Sequence, residues 1–117
     1  MPSQTAEPVF TLDVEHCTGN VIVIHCHGKL VAGSTDQLTA TVRDHIPQTK
    51  RIILDLSGLN HTDSMGIGTL VRLYVSAKSD GCSLELTHLS QQIRSLLGLT
   101  GLFSIFTVIG ENGVKIM

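Results

Sequence analysis

Tryptophan is absent from this chain, and aromatic residues make up only 3% of its 117 residues. Any core must therefore be aliphatic, because the large rings that anchor many interiors and interfaces are missing. Charged residues are scarce too, at 15%, where about 25% is usual. With 42% hydrophobic residues, this composition excludes a disordered tail or a solvated adaptor. Eight Lys and Arg face ten Asp and Glu, a formal net charge of −2. No basic patch is implied, so nucleic acid is not an expected partner. The longest aliphatic run, Val21 to Ile24, is far too short to cross a bilayer, and no membrane insertion is expected. The first basic residue is Lys29, so the start does not read as a secretory leader. The cysteines Cys17, Cys26 and Cys82 stand singly, with no Cys-x-x-Cys pair. They read as reduced, mostly buried thiols of a cytoplasmic protein.

What remains is the material of one domain. A chain of this size buries roughly two thirds of its unfolded surface and needs no disulfide or metal to fold. Residues 1–8 are polar with two prolines and read as a loose lead-in. The domain is expected over 9–109 and a tail over 110–117. Val9 to Glu15 alternates, with Phe10, Leu12 and Val14 on one face, as a half-buried strand does. Thr18-Gly19-Asn20 signals a turn, and Asn20 to His27, rich in Val and Ile, completes a hairpin. Gly28 to Gly33 reads as a loop. Ser34, with Gln37 three residues on, has the spacing of a capping box, and Leu38, Val42 and Ile46 form one helical stripe ended by Pro47.

Arg51 to Leu56 is nearly all apolar, the pattern of a strand covered on both faces, and Ser57 to Thr62 reads as a loop. Ser64 to Ser79 is the next helix, with Met65, Leu70, Val71, Tyr74 and Val75 on its expected buried side and Asp80-Gly81 at its end. Cys82 to Leu86 is a strand. Ser90 caps a short helix to Leu97, ended by Gly98 and Gly101, and a last strand falls within Leu102 to Ile109. The order β-β-α-β-α-β-α-β predicts an α/β domain with a mostly parallel sheet, one antiparallel edge hairpin and helices packed on the sheet.

Three groupings invite chemistry. His16, Cys17, His25, Cys26 and His27 resemble a ligand cluster, but side chains alternate along a strand, so His25 and His27 share a face that Cys26 does not. No standard metal-ligand spacing is present, and solvated strand histidines, with His16 opposite across the hairpin, are the reading adopted. His61, Asp63 and Ser64 are too close in sequence for a triad, and no Gly-x-Ser-x-Gly elbow surrounds Ser64. Gly66-x-Gly68 lacks the lysine of a phosphate-binding loop. Neither a catalytic residue, a metal nor a cofactor is expected.

Asn60 to Gly68 is the most informative stretch. It follows a buried strand and opens a helix, the place where sites form in open α/β sheets. Asp63 or Ser64 suits the N-cap, where an acidic side chain also meets the positive end of the helix dipole.

Here the sequence resembles the STAS domain family, and within it the bacterial anti-sigma factor antagonists. The likeness rests on RIILDLSGLNHTDSMGIG (Arg51 to Gly68), TLVRLYVSAKSDGCSLEL (Thr69 to Leu86) and SQQIRSLLGLTGLFSIF (Ser90 to Phe106), in that order. The first is similar to the family's strand followed by Asp-Ser-Ser/Thr-Gly-hydrophobic-Gly. The resemblance implies a regulatory protein, not an enzyme. Its unphosphorylated form would bind an anti-sigma factor that is a serine/threonine kinase and so free a sigma factor. Ser64 would be the phosphoacceptor and Asp63 the motif aspartate, with a phosphatase acting on phospho-Ser64. Asp63, Met65, Gly66 and Ile67 would adjoin the partner, together with Val31, Gly33 and Ser34. Met65 stands where the family has a second Ser or Thr. Lys29 and Val31 stand where antagonists often carry acidic residues. The same resemblance admits another use, as a subunit of a lipid-trafficking ATPase complex or a stressosome-like scaffold.

Overall fold

The computed structural model describes residues 9–101 and 106–109. The expected lead-in, the tail and the first part of the last strand segment lie outside them. Five strands form one sheet in chain order: β1 (Phe10–Cys17), β2 (Val21–Leu30), β3 (Arg51–Thr62), β4 (Ser83–Thr87) and β5 (Thr107–Ile109). Only β1–β2 is antiparallel. Gly19 and Asn20, both at positive φ, turn that hairpin. The parallel strands are joined by α1 (Thr35–His45), α2 (Ser64–Ser79) and α3 (Gln91–Leu99). The expected α/β architecture with its antiparallel edge is the one observed.

Alternation along the strands sorts the residues into two faces. Ile22, Ile52 and Leu84 stand side by side across β2, β3 and β4, and Ile24, Leu54 and Leu86 form the next row. These six share one buried cluster with Leu38 and Val42 of α1, Ile67, Leu70 and Leu73 of α2, and Ile93 and Leu97 of α3. The helices therefore lie against this face. The intervening residues form rows on the other face: a mixed one of Val23, Ile53 and Glu85, then a polar one of His25, Asp55 and Thr87.

Several local expectations are corrected. Both β2 and β3 run on through segments read as loops, to Leu30 and Thr62. Past Leu56 the residues are small and polar, which hid the strand, but backbone pairing with the end of β2 holds them in the sheet, and Leu59 and Thr62 still turn inward. Two register shifts between β2 and β3 absorb the irregularity. On α2 the buried stripe is Gly66, Ile67, Leu70, Leu73 and Ala77. Met65 and Val75 are exposed at 50% and 58%, while Val71 and Tyr74 lie half-buried at the stripe's edge. Helix α3 continues through Gly98, and the chain leaves it at Gly101, which has φ +72°.

The polar face holds a compact ion-pair network around His25. His25 Nδ1 lies 2.7 Å from Asp55 Oδ2, and its Nε2 lies 2.8 Å from Glu15 Oε1. His88 Nδ1 stands 3.3 Å from Asp55 Oδ1. A neutral imidazole has one N–H, so only the protonated ring donates to both carboxylates. His25 is thus engaged rather than simply solvated. His16 faces away from it, pairs with Ile22 and packs its ring on His45 at 5.8 Å. The Glu15 and Asp55 hydrogen bonds raise the His25 pKa above its ordinary value, against a smaller effect of burial. Burial disfavours the Asp55 carboxylate, but the Ser57 N–H, His25 and His88 outweigh it and lower its pKa.

These shifts set a pH window. The His25 contribution is fully present below the unfolded histidine pKa and is lost as pH rises through the raised folded value. The Asp55 contribution is present above the unfolded aspartate pKa and is lost as pH falls through the lowered folded value. Melting temperatures of the wild type and His25→Asn, followed upward from about pH 5, should therefore converge once pH passes the raised His25 value. A gap that stays constant with pH would contradict this account.

Candidate functional site

Strand β3 delivers its last residues to the carboxyl edge of the sheet, and α2 starts there. Thr62 is buried and its hydroxyl donates to the Leu30 carbonyl at 2.8 Å. The next residue, Asp63, donates its own N–H to the same carbonyl at 3.4 Å. Two bonds to one oxygen tie the ends of β2 and β3 together where the chain turns into the helix. Asp63 is then the N-cap in extended conformation, and its Oδ1 accepts from the Gly66 N–H at 2.9 Å. Its Oδ2 accepts from the Ala32 N–H in the loop after β2 at 3.3 Å. One carboxylate thus holds the helix start with one oxygen and the neighbouring loop with the other. The Gly66 N–H is the main cause of the lowered Asp63 pKa, opposed by partial desolvation and helped by the Ala32 and Met65 N–H groups.

The loop is braced from within. Ser34 Oγ donates to the Lys29 carbonyl at 2.7 Å and accepts from the Val31 N–H at 3.0 Å. Ser34 occupies the N-cap position of α1, yet its side chain makes no cap hydrogen bond, so the expected capping box with Gln37 does not form. The hydroxyl is taken by the turn it closes. That turn leaves Ala32 and Gly33 exposed and Val31 half-buried beside the start of α2.

The residues singled out from the sequence fall into two layers. Ser64, the first residue of α2, is exposed, and so is Met65. Gly66, Ile67 and Ser34 are buried, the last two at 3% and 6% exposure. A Cβ on Gly66 would collide with the Leu30 carbonyl oxygen and Thr62 Oγ1. Glycine there lets the helix end close on β2. Two further residues escaped the sequence reading. Ala32 supplies a backbone N–H, which no side-chain pattern reveals. Gln92 of α3 accepts from the Thr62 N–H at 3.3 Å and places its Nε2 3.1 Å from His61 Nδ1. It lies some thirty residues from its partners, and nothing local to it points there.

The chemistry available follows from this geometry. The Ser64 hydroxyl sits at the first turn of a helix, where N–H groups and the dipole accommodate negative charge. The adjacent carboxylate accepts from two backbone N–H groups and has a lowered pKa, which makes it a weak base. Ser64 thus presents an exposed hydroxyl at the helix start, beside a carboxylate already engaged by backbone N–H groups. The interior Cys26 thiol is pushed up to about 12 by burial, so it is no nucleophile.

A family model described as the STAS domain matches residues 13–112. A curated relative, the anti-sigma F factor antagonist of Paenibacillus polymyxa, is 25% identical over 99 residues, covering 83% of this chain and 84% of the relative. The structure of the anti-sigma factor antagonist SpoIIAA in its unphosphorylated form superposes with a TM-score of 0.72 at 21% identity, covering 87% of this chain and 90% of the other. The phosphorylated form of SpoIIAA, the Bacillus cell fate determinant, gives 0.68 at 21% identity, covering 87% and 94%. At these identities the two solved structures establish likeness of fold.

Proposed function

Because this chain belongs to the STAS domain family, we propose that it is an anti-sigma factor antagonist switched by phosphorylation of Ser64. In its unphosphorylated form it binds an anti-sigma factor that is a serine/threonine kinase, and a sigma factor is released. The kinase and its Mg·ATP supply the chemistry, and this chain is substrate and ligand. A phosphatase acting on phospho-Ser64 restores the binding form. The observation that carries the reading is the exposed Ser64 at the start of a helix whose cap, Asp63, is fully engaged. A phosphoryl group can be added there without breaking the fold.

The contact surface in this reading is Ser64 and Met65 with Val31 and Gly33 of the neighbouring loop. Asp63, Gly66, Ile67 and Ser34 shape that surface from beneath. A solved relative described in both unphosphorylated and phosphorylated forms supports the switch.

The test is a pair of affinity baits, Ser64→Ala and Ser64→Glu, exposed to lysate of the source cell and read by mass spectrometry. A kinase-fold ATPase held by the alanine bait and lost from the glutamate bait is the expected result. The same partner on both baits, or the ATPase of a lipid transporter, would replace the switch with a scaffold role.

A further inference from the structure

The register shifts that let β2 and β3 run on also open a cleft. They fall between His25 and His27 and between Gly28 and Lys29, on the polar face of the sheet at its carboxyl edge. Bulges of this kind are frequent beside binding sites because they re-aim side chains. Gly28 adopts φ +101°, and a Cβ there would strike the Val9 carbonyl as β1 begins. A Cβ on Gly58 would strike the His27 ring and the Cys26 carbonyl, so both glycines let neighbouring groups approach more closely than any other residue would allow. The result is a cleft of about 500 Å³ whose lining includes Thr11, His27, Lys29 and Asn60. Small-molecule sites span about 300–1,000 Å³.

Several of the lining side chains can donate. Lys29 brings an ammonium with three N–H groups and no acceptor, while His27, Asn60 and Thr11 each bring a group that can donate or accept. Lys29 is exposed and forms no ion pair among the described residues. The one carboxylate in an ion pair with a lining residue is Asp13, 3.4 Å from His27 Nε2. A chain of net charge −2 thus places a lysine that makes no ion pair among the described residues, with several potential donors, in a concave place.

We propose that this cleft binds a small molecule through a phosphate or carboxylate group, with Lys29 as the charged anchor and His27 and Asn60 as orienting donors. Charge-assisted hydrogen bonds to an oxyanion are the strongest contacts such a set offers. The lining does not include Ser64, and the proposal does not rest on the switch.

Titration of the full chain with inorganic phosphate, against chloride at equal ionic strength, tests it by amide NMR. Saturable shifts are expected at residues 27–29 and 58–60. Lys29→Gln should weaken the apparent affinity by about tenfold, and Asp13→Asn, which removes the opposing charge, should tighten it. Shifts that never saturate, that chloride reproduces, or that survive Lys29→Gln unchanged would overturn the proposal. No partner protein enters this experiment, so its failure and failure of the switch are told apart.

Discussion

Phosphorylation of Ser64 is expected to weaken binding to the anti-sigma factor by at least about a hundredfold while the melting temperature moves by no more than a few degrees. The two halves have different causes. Phosphate adds about −1.5 to −2 charges and three acceptor oxygens. On the protein itself that charge falls at the first turn of α2, where backbone N–H groups and the helix dipole accept it, and Asp63 already caps the Gly66 N–H. Stability should therefore change little. In a complex the same charge would be covered by the partner against Met65, half exposed and apolar, and the loop of Val31 and Gly33. Burying a dianion without a cationic counterpart costs several kcal/mol. A loss of about 2.8 kcal/mol already gives the hundredfold. Calorimetric titration of the two forms, beside their thermal melts, checks both halves. Ser64→Ala should bind as the unphosphorylated form does, and Ser64→Glu should fall between, since a carboxylate carries less charge. Equal affinity of the phosphorylated and unphosphorylated forms would remove the switch.

Two glycines two residues apart in α2 should respond to alanine with opposite signs. In an exposed helix position alanine is favoured over glycine by about 1 kcal/mol. At Gly68 nothing opposes that gain, because an added Cβ would meet only the end of the Arg72 side chain at 3.5 Å. Gly68→Ala should stabilise the fold by about 0.5–1 kcal/mol. At Gly66 the same Cβ would drive into the Leu30 carbonyl oxygen and Thr62 Oγ1, and backbone cannot swing aside as a flexible side chain does. Overpacking costs about 1–3 kcal/mol and occasionally more, so the collision wins over the helix gain. Gly66→Ala should lower stability and loosen the contact of α2 with the end of β2, on which the placement of Ser64 depends. Urea unfolding of the two variants gives both signs directly. A Gly66→Ala chain as stable as the wild type would show that the helix end does not rest on β2 as described.

The two changes also separate what can be read from the chain. Both glycines look alike in sequence, as a Gly-x-Gly at a helix start. Only the approach of Leu30, thirty-six residues earlier, distinguishes them. The same holds for Ser34. Its position before α1 was legible, but its hydroxyl went to the Lys29 carbonyl and the Val31 N–H, because the loop after β2 turns back upon it. On α2 the stripe was legible as helical but was rotated. Met65 and Val75 are apolar enough to be core, and the seating of Gly66 beneath Leu30 turns them outward. The ends of β2 and β3 were lost for a related reason. A strand of Gly, Asn and His carries no hydrophobic alternation and exists only because a neighbour completes its hydrogen bonds.

Short-range physics was sufficient for the rest. Alternation in β1, the aliphatic runs of β2 and β3, the helical spacing of Leu38 and Val42, and the Asp63 cap each depend on residues within a turn or two of one another. Their order alone specifies an α/β sheet with one antiparallel edge, and the motif from Asp63 to Gly68 marks where the proposed site lies. What the tertiary structure decided is which of those residues face outward: Ser64, Met65 and Gly33 at the surface, Gly66, Ile67 and Ser34 within. Exposure is set by whatever packs from the distant parts of the chain, here the ends of β2 and β3 brought together at Leu30 and Thr62, and no local pattern carries that information.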